Sequence, residues 1–203
     1  MKRLSISVLV LALGFAFSAG SMAEDISRGD YQAGNKRIAA GYRSAKARCA
    51  ALAGNKRDIC MAKAQGTRDV ALAELHASYK PSPLAHFQAR MARTRADYAV
   101  ASERCDERTG NAKVVCVRKA KADATVAKAD ARAQIKTSEA IAADEKAGDA
   151  HTKATSEAAV ANKDAAAEKR DARYGVAKEK CDGYAGVAKD RCIDEAKARF
   201  GKS

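Results

Sequence analysis

Apolar positions along the chain recur at helical spacing, and nowhere do they alternate with the period of two that a strand requires. Tyr42, Ala45 and Cys49 stand at i, i+3 and i+7, which places them on one face of a helix. Beyond Cys60 the stripe Ala64, Ala71, Leu75, Tyr79 predicts a second helix, ended by Lys80-Pro81-Ser82-Pro83, where two prolines forbid its continuation. Beyond Cys116 the stripe is nearly all alanine, with Ala120, Ala124, Ala127 and Ala131 followed by Ile135 and Ala142. The predicted fold class is therefore all-α.

The helical stripes belong to a repeat. The pattern Tyr42-x2-Ala45-x3-Cys49-x4-Gly54-x5-Cys60-x3-Ala64 recurs as Tyr98, Ala101, Cys105, Gly110, Cys116, Ala120, and again as Tyr174, Ala177, Cys181, Gly186, Cys192, Ala196. Glycine five residues after the first cysteine is placed to end the first helix in a left-handed conformation. A second helix then runs back. The two cysteines of each copy lie nearly equidistant from the turn, which predicts the pairs Cys49 with Cys60, Cys105 with Cys116 and Cys181 with Cys192. Gly54, Gly110 and Gly186 are the predicted turn residues.

This organisation predicts a first hairpin over 24–80, a second over 84–147 with a long second helix, and a third over 149–203. The repeat step is 56 residues, then 76, so a 20-residue insertion lengthens the fourth and fifth helices to about 30 residues, or near 45 Å. Gly148-Asp149 is the candidate turn or kink between them. Two architectures fit: an elongated bundle of antiparallel helices with all three disulfides at one end, or an extended molecule with Gly148 inside a helix. The first is preferred.

Composition limits how such helices can be held. Leu, Ile, Val and Phe make up about an eighth of the chain after residue 23, too few for a thick core, and alanine makes up about a quarter. Alanine is the strongest helix former, but its stripes specify register weakly. Each disulfide would add roughly 2 to 3 kcal/mol by loop closure. Metal ligation and redox chemistry are rival readings of the cysteines. Zinc sites use shorter or His-containing spacings, His76, His86 and His151 lie outside the repeats, and no C-x-x-C stands beside a βαβ pattern.

Residues 1–23 have the layout of a secretory signal peptide: Lys2 and Arg3, an apolar stretch over 4–17, then small residues to Ala23, with cleavage between Ala23 and Glu24. About 14 apolar residues fall short of the roughly 20 that span a bilayer, so no membrane-spanning segment is expected after cleavage. Export places the chain in the periplasm or outside the cell, where disulfides persist. Loss of Lys2 and Arg3 lowers the net charge from +13 to +11. The excess is uneven: +7 over 31–80, +6 over 84–137 and −3 over 138–171. Such a surface suits anionic envelope polymers. The few aromatic residues argue against nucleic acid.

No catalytic triad, phosphate-cradling glycine loop or paired metal ligands can be traced in the sequence. The expectation is a non-enzyme, with no cofactor and no bound metal. The triple Tyr-Ala-Cys-Gly-Cys-Ala hairpin behind a signal peptide resembles a group of uncharacterised exported Ala/Lys-rich proteins of Gram-negative bacteria, some labelled TolA-like cell-envelope proteins. The likeness to TolA itself is compositional and confined to 118–173; TolA keeps an uncleaved anchor and ends in a globular domain. The uncharacterised group supplies no activity to carry over; the repeated staple and the uniform helix chemistry lead to the expectation of a structural or interaction role in the envelope, with an envelope protein or an anionic polymer as partner, and an oligomer is compatible with it. The alternatives are a loosely folded stress protectant and a basic binder of anionic polymers.

Overall fold

The computed structural model describes residues 26–144 and 149–203. The expected leader, its predicted cleavage site between Ala23 and Glu24, and Gly148 lie outside the described residues. Among the described residues there are six helices and no strand: α1 Arg28–Ala50, α2 Gly54–Tyr79, α3 Pro83–Cys105, α4 Gly110–Asp144, α5 Asp149–Cys181 and α6 Gly186–Phe200. The fold is all-α, as the apolar spacing predicts.

α1 and α3, which begin away from the cysteines, have side-chain caps. Ser27 Oγ accepts from the Asp30 N–H and Ser82 Oγ from the Ala85 N–H, both at 3.0 Å, and Pro83 opens α3 with no N–H to satisfy. The helices that begin at a cysteine turn are set differently. At α2 and α6 the N-cap residues Ala53 and Ala185 make no side-chain cap bond. Gly54, Gly110 and Gly186 have φ of +54°, +56° and +56°, the left-handed region that favours glycine.

Here the structure corrects one expectation. These glycines are left-handed, but they open the second helix of each hairpin and do not end the first. The first helix closes by itself, because the carbonyl of its cysteine accepts from the N–H three residues on: Leu52 to Cys49, Arg108 to Cys105 and Tyr184 to Cys181, each at 3.0 Å. Such tight final turns satisfy terminal carbonyls without glycine. The glycine then takes the change in chain direction.

Each hairpin is closed by its own disulfide, with Cα atoms 5.5 Å apart for Cys49–Cys60 and 5.6 Å for both Cys105–Cys116 and Cys181–Cys192. Neighbouring helices run antiparallel throughout. Along α4 and α5, Arg118 pairs with Glu179, Asp130 with Lys169, Arg132 with Glu168 and Lys136 with Glu157, one number rising as the other falls. α4 and α5 therefore lie antiparallel, as in the bundle and not as in the extended alternative. The three turns lie at one end. Asn55 Nδ2 donates to the Glu103 carbonyl across hairpins at 2.9 Å, and a Cβ at Gly183 would sit 3.3 Å from Asn111 Nδ2.

Among the described residues every helix packs only against its neighbours in the chain. Leu75 of α2 reaches Gly34 of α1, whereas Gly66 of α2 abuts Ala96 of α3. Leu75 and Gly66 are nine residues apart, about half a turn around the helix. α1 and α3 thus flank α2 on opposite sides. On α5, Ala165 clusters with Ala129 and Ala133 of α4, and Cys181, about 160° away, binds α6. The elongated bundle is opened into a row, one helix thick, in place of the usual two packed layers.

A single layer buries only narrow seams. The buried apolar positions are all alanine or cysteine, and the largest side chains that reach full burial are Cys49, Cys105 and Cys181. Gly34, Gly66 and Thr94 complete the seams. Small residues let the helices approach closely, and the disulfides supply what so little burial cannot.

Candidate functional site

All six cysteines are disulfide-bonded, which leaves no thiol for chemistry. Among the described residues no three His, Cys, Asp or Glu side chains come together to hold a metal ion. His76 meets the edge of the Tyr31 ring, centroids 6.5 Å apart, and Tyr31 stacks on Tyr79 at 4.4 Å. These rings lock the open end of the first hairpin. His86 is exposed, and the side chain of His151 lies outside the described residues.

Ionisable groups with shifted equilibria sit on the surface in ion pairs. Lys136 is raised, first by its hydrogen bond to Glu139 and then by the charges of Glu139 and Glu157. Asp182 is lowered and Lys189 raised by the hydrogen bond between them, at 2.9 Å. Lys136 lines a small groove of about 270 Å³ between α4 and α5, beside Arg132, Asp164 and Glu168.

The Asp182–Lys189 pair does show how the repeats differ. It spans the third cysteine turn, and Asp106–Lys113, also at 2.9 Å, spans the second at the same repeat positions. In the first hairpin those positions are Ala50 and Arg57, so the pair is missing. Residues 31–57 contain seven Lys and Arg and no Asp or Glu. Lys36, Arg37, Arg43, Lys46 and Arg48 all lie on the exposed part of α1, the edge helix of the row.

A groove of about 570 Å³ runs between α1 and α2 on this basic side. Ile38, Tyr42, Ala45, Ala64 and the Cys49–Cys60 disulfide form its apolar floor. Arg37, Arg48, Lys63 and Arg68 form its rim, and no carboxylate lines it. Arg68 is held in place, its guanidinium 4.4 Å above the Tyr42 ring and its Nη2 2.7 Å from Asp69. Arg48 donates to Ser44 Oγ at 2.8 Å. Among the described residues, Arg37, Arg48 and Lys63 have no acidic partner.

Two other grooves provide the contrast. The one between α2 and α3 has a similar volume, about 570 Å³, but sets Asp58, Asp69 and Glu103 against Arg95. In the third hairpin the equivalent of Lys63 is Glu195, and Asp123 of α4 joins the lining. A smaller groove of about 450 Å³ at the cysteine end of α4 and α5 also lacks a carboxylate, with Arg108, Lys119 and Lys180 around Ala112, Val115 and Cys116, but its Lys119 is paired with Asp123.

The predicted turn glycines and cysteines thus lie together at one end of the row and build its frame, while the basic groove is a feature that the repeat pattern did not point to. Its signal in the sequence is the acid-free run of 31–57. Among the described residues no helix is long and apolar enough to cross a membrane. No protein-family model, curated protein or solved structure matches the chain.

Proposed function

We propose that this chain is a non-catalytic protein of the bacterial cell envelope, periplasmic or secreted, that acts by binding another envelope component. The observation that carries this reading is the unpaired basic edge of the first hairpin, on a frame whose other two cysteine turns neutralise the equivalent positions. The disulfides support an oxidising compartment, and the export signal and the resemblance to exported Ala/Lys-rich hairpin proteins agree with it. Crosslinking in intact cells, followed by recovery of the disulfide-bonded chain, tests the reading. A defined envelope partner is the expected result; recovery of random background overturns it.

Within this reading, the charge distribution favours an anionic partner such as lipopolysaccharide, anionic head groups or peptidoglycan carboxylates over a neutral one. Binding to such a partner should weaken steeply with salt. Salt-insensitive binding would count against it. The packed antiparallel seams support a folded binding protein over a loosely folded protectant, and cooperative loss of helical circular dichroism on heating separates the two.

A further inference from the structure

We propose that the α1–α2 groove of the first hairpin is a binding site for a single-chain amphiphile with an anionic head group, taken up as a monomer. The inference rests on the reading of the chain as an envelope-binding protein and names the class of ligand.

The groove combines two features that an amphiphile needs and that a simple anion does not. Its lining on α1 is apolar at Ile38, Tyr42, Ala45 and the disulfide, with the Arg68 guanidinium lying over the Tyr42 ring. The lining on α1 runs from Arg37 to Cys49, about 18 Å at 1.5 Å per residue, which accommodates an extended alkyl chain of about a dozen carbons. Its volume of about 570 Å³ is in the range of small-molecule clefts.

The rim selects charge. Arg68 is already committed to Asp69 and to the Tyr42 ring. Among the described residues Arg37, Arg48 and Lys63 have no acidic partner; the disulfide end carries two of these cations, Arg48 and Lys63, against Arg37 alone at the far end, and is where the head group sits. Burial of an alkyl chain along the floor supplies apolar contact, and the two cations supply charge-assisted hydrogen bonds to a phosphate or carboxylate. An acidic residue anywhere on the rim would oppose this, and none is there. The α2–α3 groove, alike in volume but with three carboxylates, should reject the same ligand.

The test is calorimetric titration of the full, oxidised chain with dodecyl phosphate below its micelle-forming concentration. Saturable binding of one molecule is expected. Inorganic phosphate and neutral dodecanol should each bind much more weakly. The double variant Arg48→Glu, Lys63→Glu should weaken binding more than about tenfold. Lys121→Glu, Lys128→Glu changes the net charge equally on exposed positions of α4 outside the groove, and should leave binding unchanged.

Equal loss in both variants would reduce the effect to net charge and overturn the proposal. So would equal binding of inorganic phosphate or of dodecanol, or binding seen only with micelles, with anionic vesicles or with an acidic helical peptide. A photoreactive dodecyl phosphate on the unaltered chain provides a readout independent of variant folding. Labelling within 37–71 is expected, and labelling elsewhere overturns the site. If the groove fails while a crosslinked envelope partner is recovered from cells, only the ligand class is lost. If dodecyl phosphate binds but no partner is recovered, the groove stands and the partner reading falls.

Discussion

At the cysteine end of the row, three disulfides, three left-handed glycines and the hydrogen bond from Asn55 to Glu103 hold the helices. Along the outer half of α4 and α5, the described residues join the helices by alanine packing and surface ion pairs. The two regions use the same helix chemistry and differ in what fixes register. Exposed ion pairs contribute little, about 0 to 1 kcal/mol each, and alanine methyls bury little area. A row one helix thick cannot compensate with a central core. The covalent ties therefore stand where a globular protein would place its large apolar side chains.

Removal of the disulfides is the most direct way to break this contrast, and its effect should differ among hairpins. Each closes a loop with a sequence separation of 11, so its loss should cost roughly 2 to 3 kcal/mol. The largest local effect is expected for Cys181→Ser, Cys192→Ser. α6 has only 15 residues and packs on α5 alone, and isolated helices of that length are marginal in water. Hydrogen exchange should show protection lost over 186–200 while the seam around Ala129 and Ala165 stays protected. Equal loss along the whole of α4 and α5 would show that the two regions do not stabilise separately.

The hairpins were legible in the sequence because they are local. Tyr, Ala, Cys, Gly and Cys at fixed offsets fix a helix face, a turn and a covalent bond within 25 residues, and three copies remove ambiguity about pairing. The row was not legible. Alanines on two opposite faces of a helix read much like one broad stripe, so nothing in the spacing told that Gly66 faces α3 while Leu75 faces α1. The role of the glycines was half legible: a positive φ was evident from residue type, but the side of the turn it serves depends on carbonyl bonds that the cysteine residue makes. The α1 half of the groove's charge could be read from residues 31–57, whereas Lys63 and Arg68 stand among acids in the sequence. The shape of the groove could not be read, because it depends on how α1 and α2 rotate about the disulfide.

Close packing of the seams supplies the next expected effect. A Cβ at Gly66 would lie 2.7 Å from the Ala96 Cβ and 3.2 Å from its Cα, contacts that no flexible side-chain end can relieve. Gly66→Ala should destabilise by about 1 to 3 kcal/mol through overpacking, less up to about 1 kcal/mol of gained helix propensity. Ala96→Gly in the same chain should recover part of that loss, and a double-mutant cycle on thermal melting measures the coupling. Additive effects would mean that the two helices do not meet at this point.

At the turns, Gly110→Ala meets no atom within 4 Å but must hold φ at +56°. It should cost about 1 to 2 kcal/mol from backbone strain alone. Gly41 of α1 also has open space around it, yet carries ordinary helical φ. Gly41→Ala should therefore stabilise by about 0.5 to 1 kcal/mol. The opposite signs at two equally uncrowded glycines separate conformation from packing, and chemical denaturation of the two variants in parallel reads the difference.

The smallest effect concerns the turn ion pair that distinguishes the third hairpin from the first. The Asp182 carboxyl is held below its ordinary value by Lys189, and the Lys189 amine is raised above its own. A lowered carboxyl contributes stability that is present above its unfolded value and is lost as pH falls through the lowered, folded one. A raised amine contributes stability that is present below its unfolded value and is lost as pH rises through the folded one. Between these limits the contribution is flat. Asp182→Ala copies Ala50 of the first hairpin and removes both ends of this dependence. The amide shifts of 181–186 should then lose their acid titration. Persistence of the same acid titration at 181–186 in the variant would assign it to another carboxyl and remove the pair as the source of the difference between the turns.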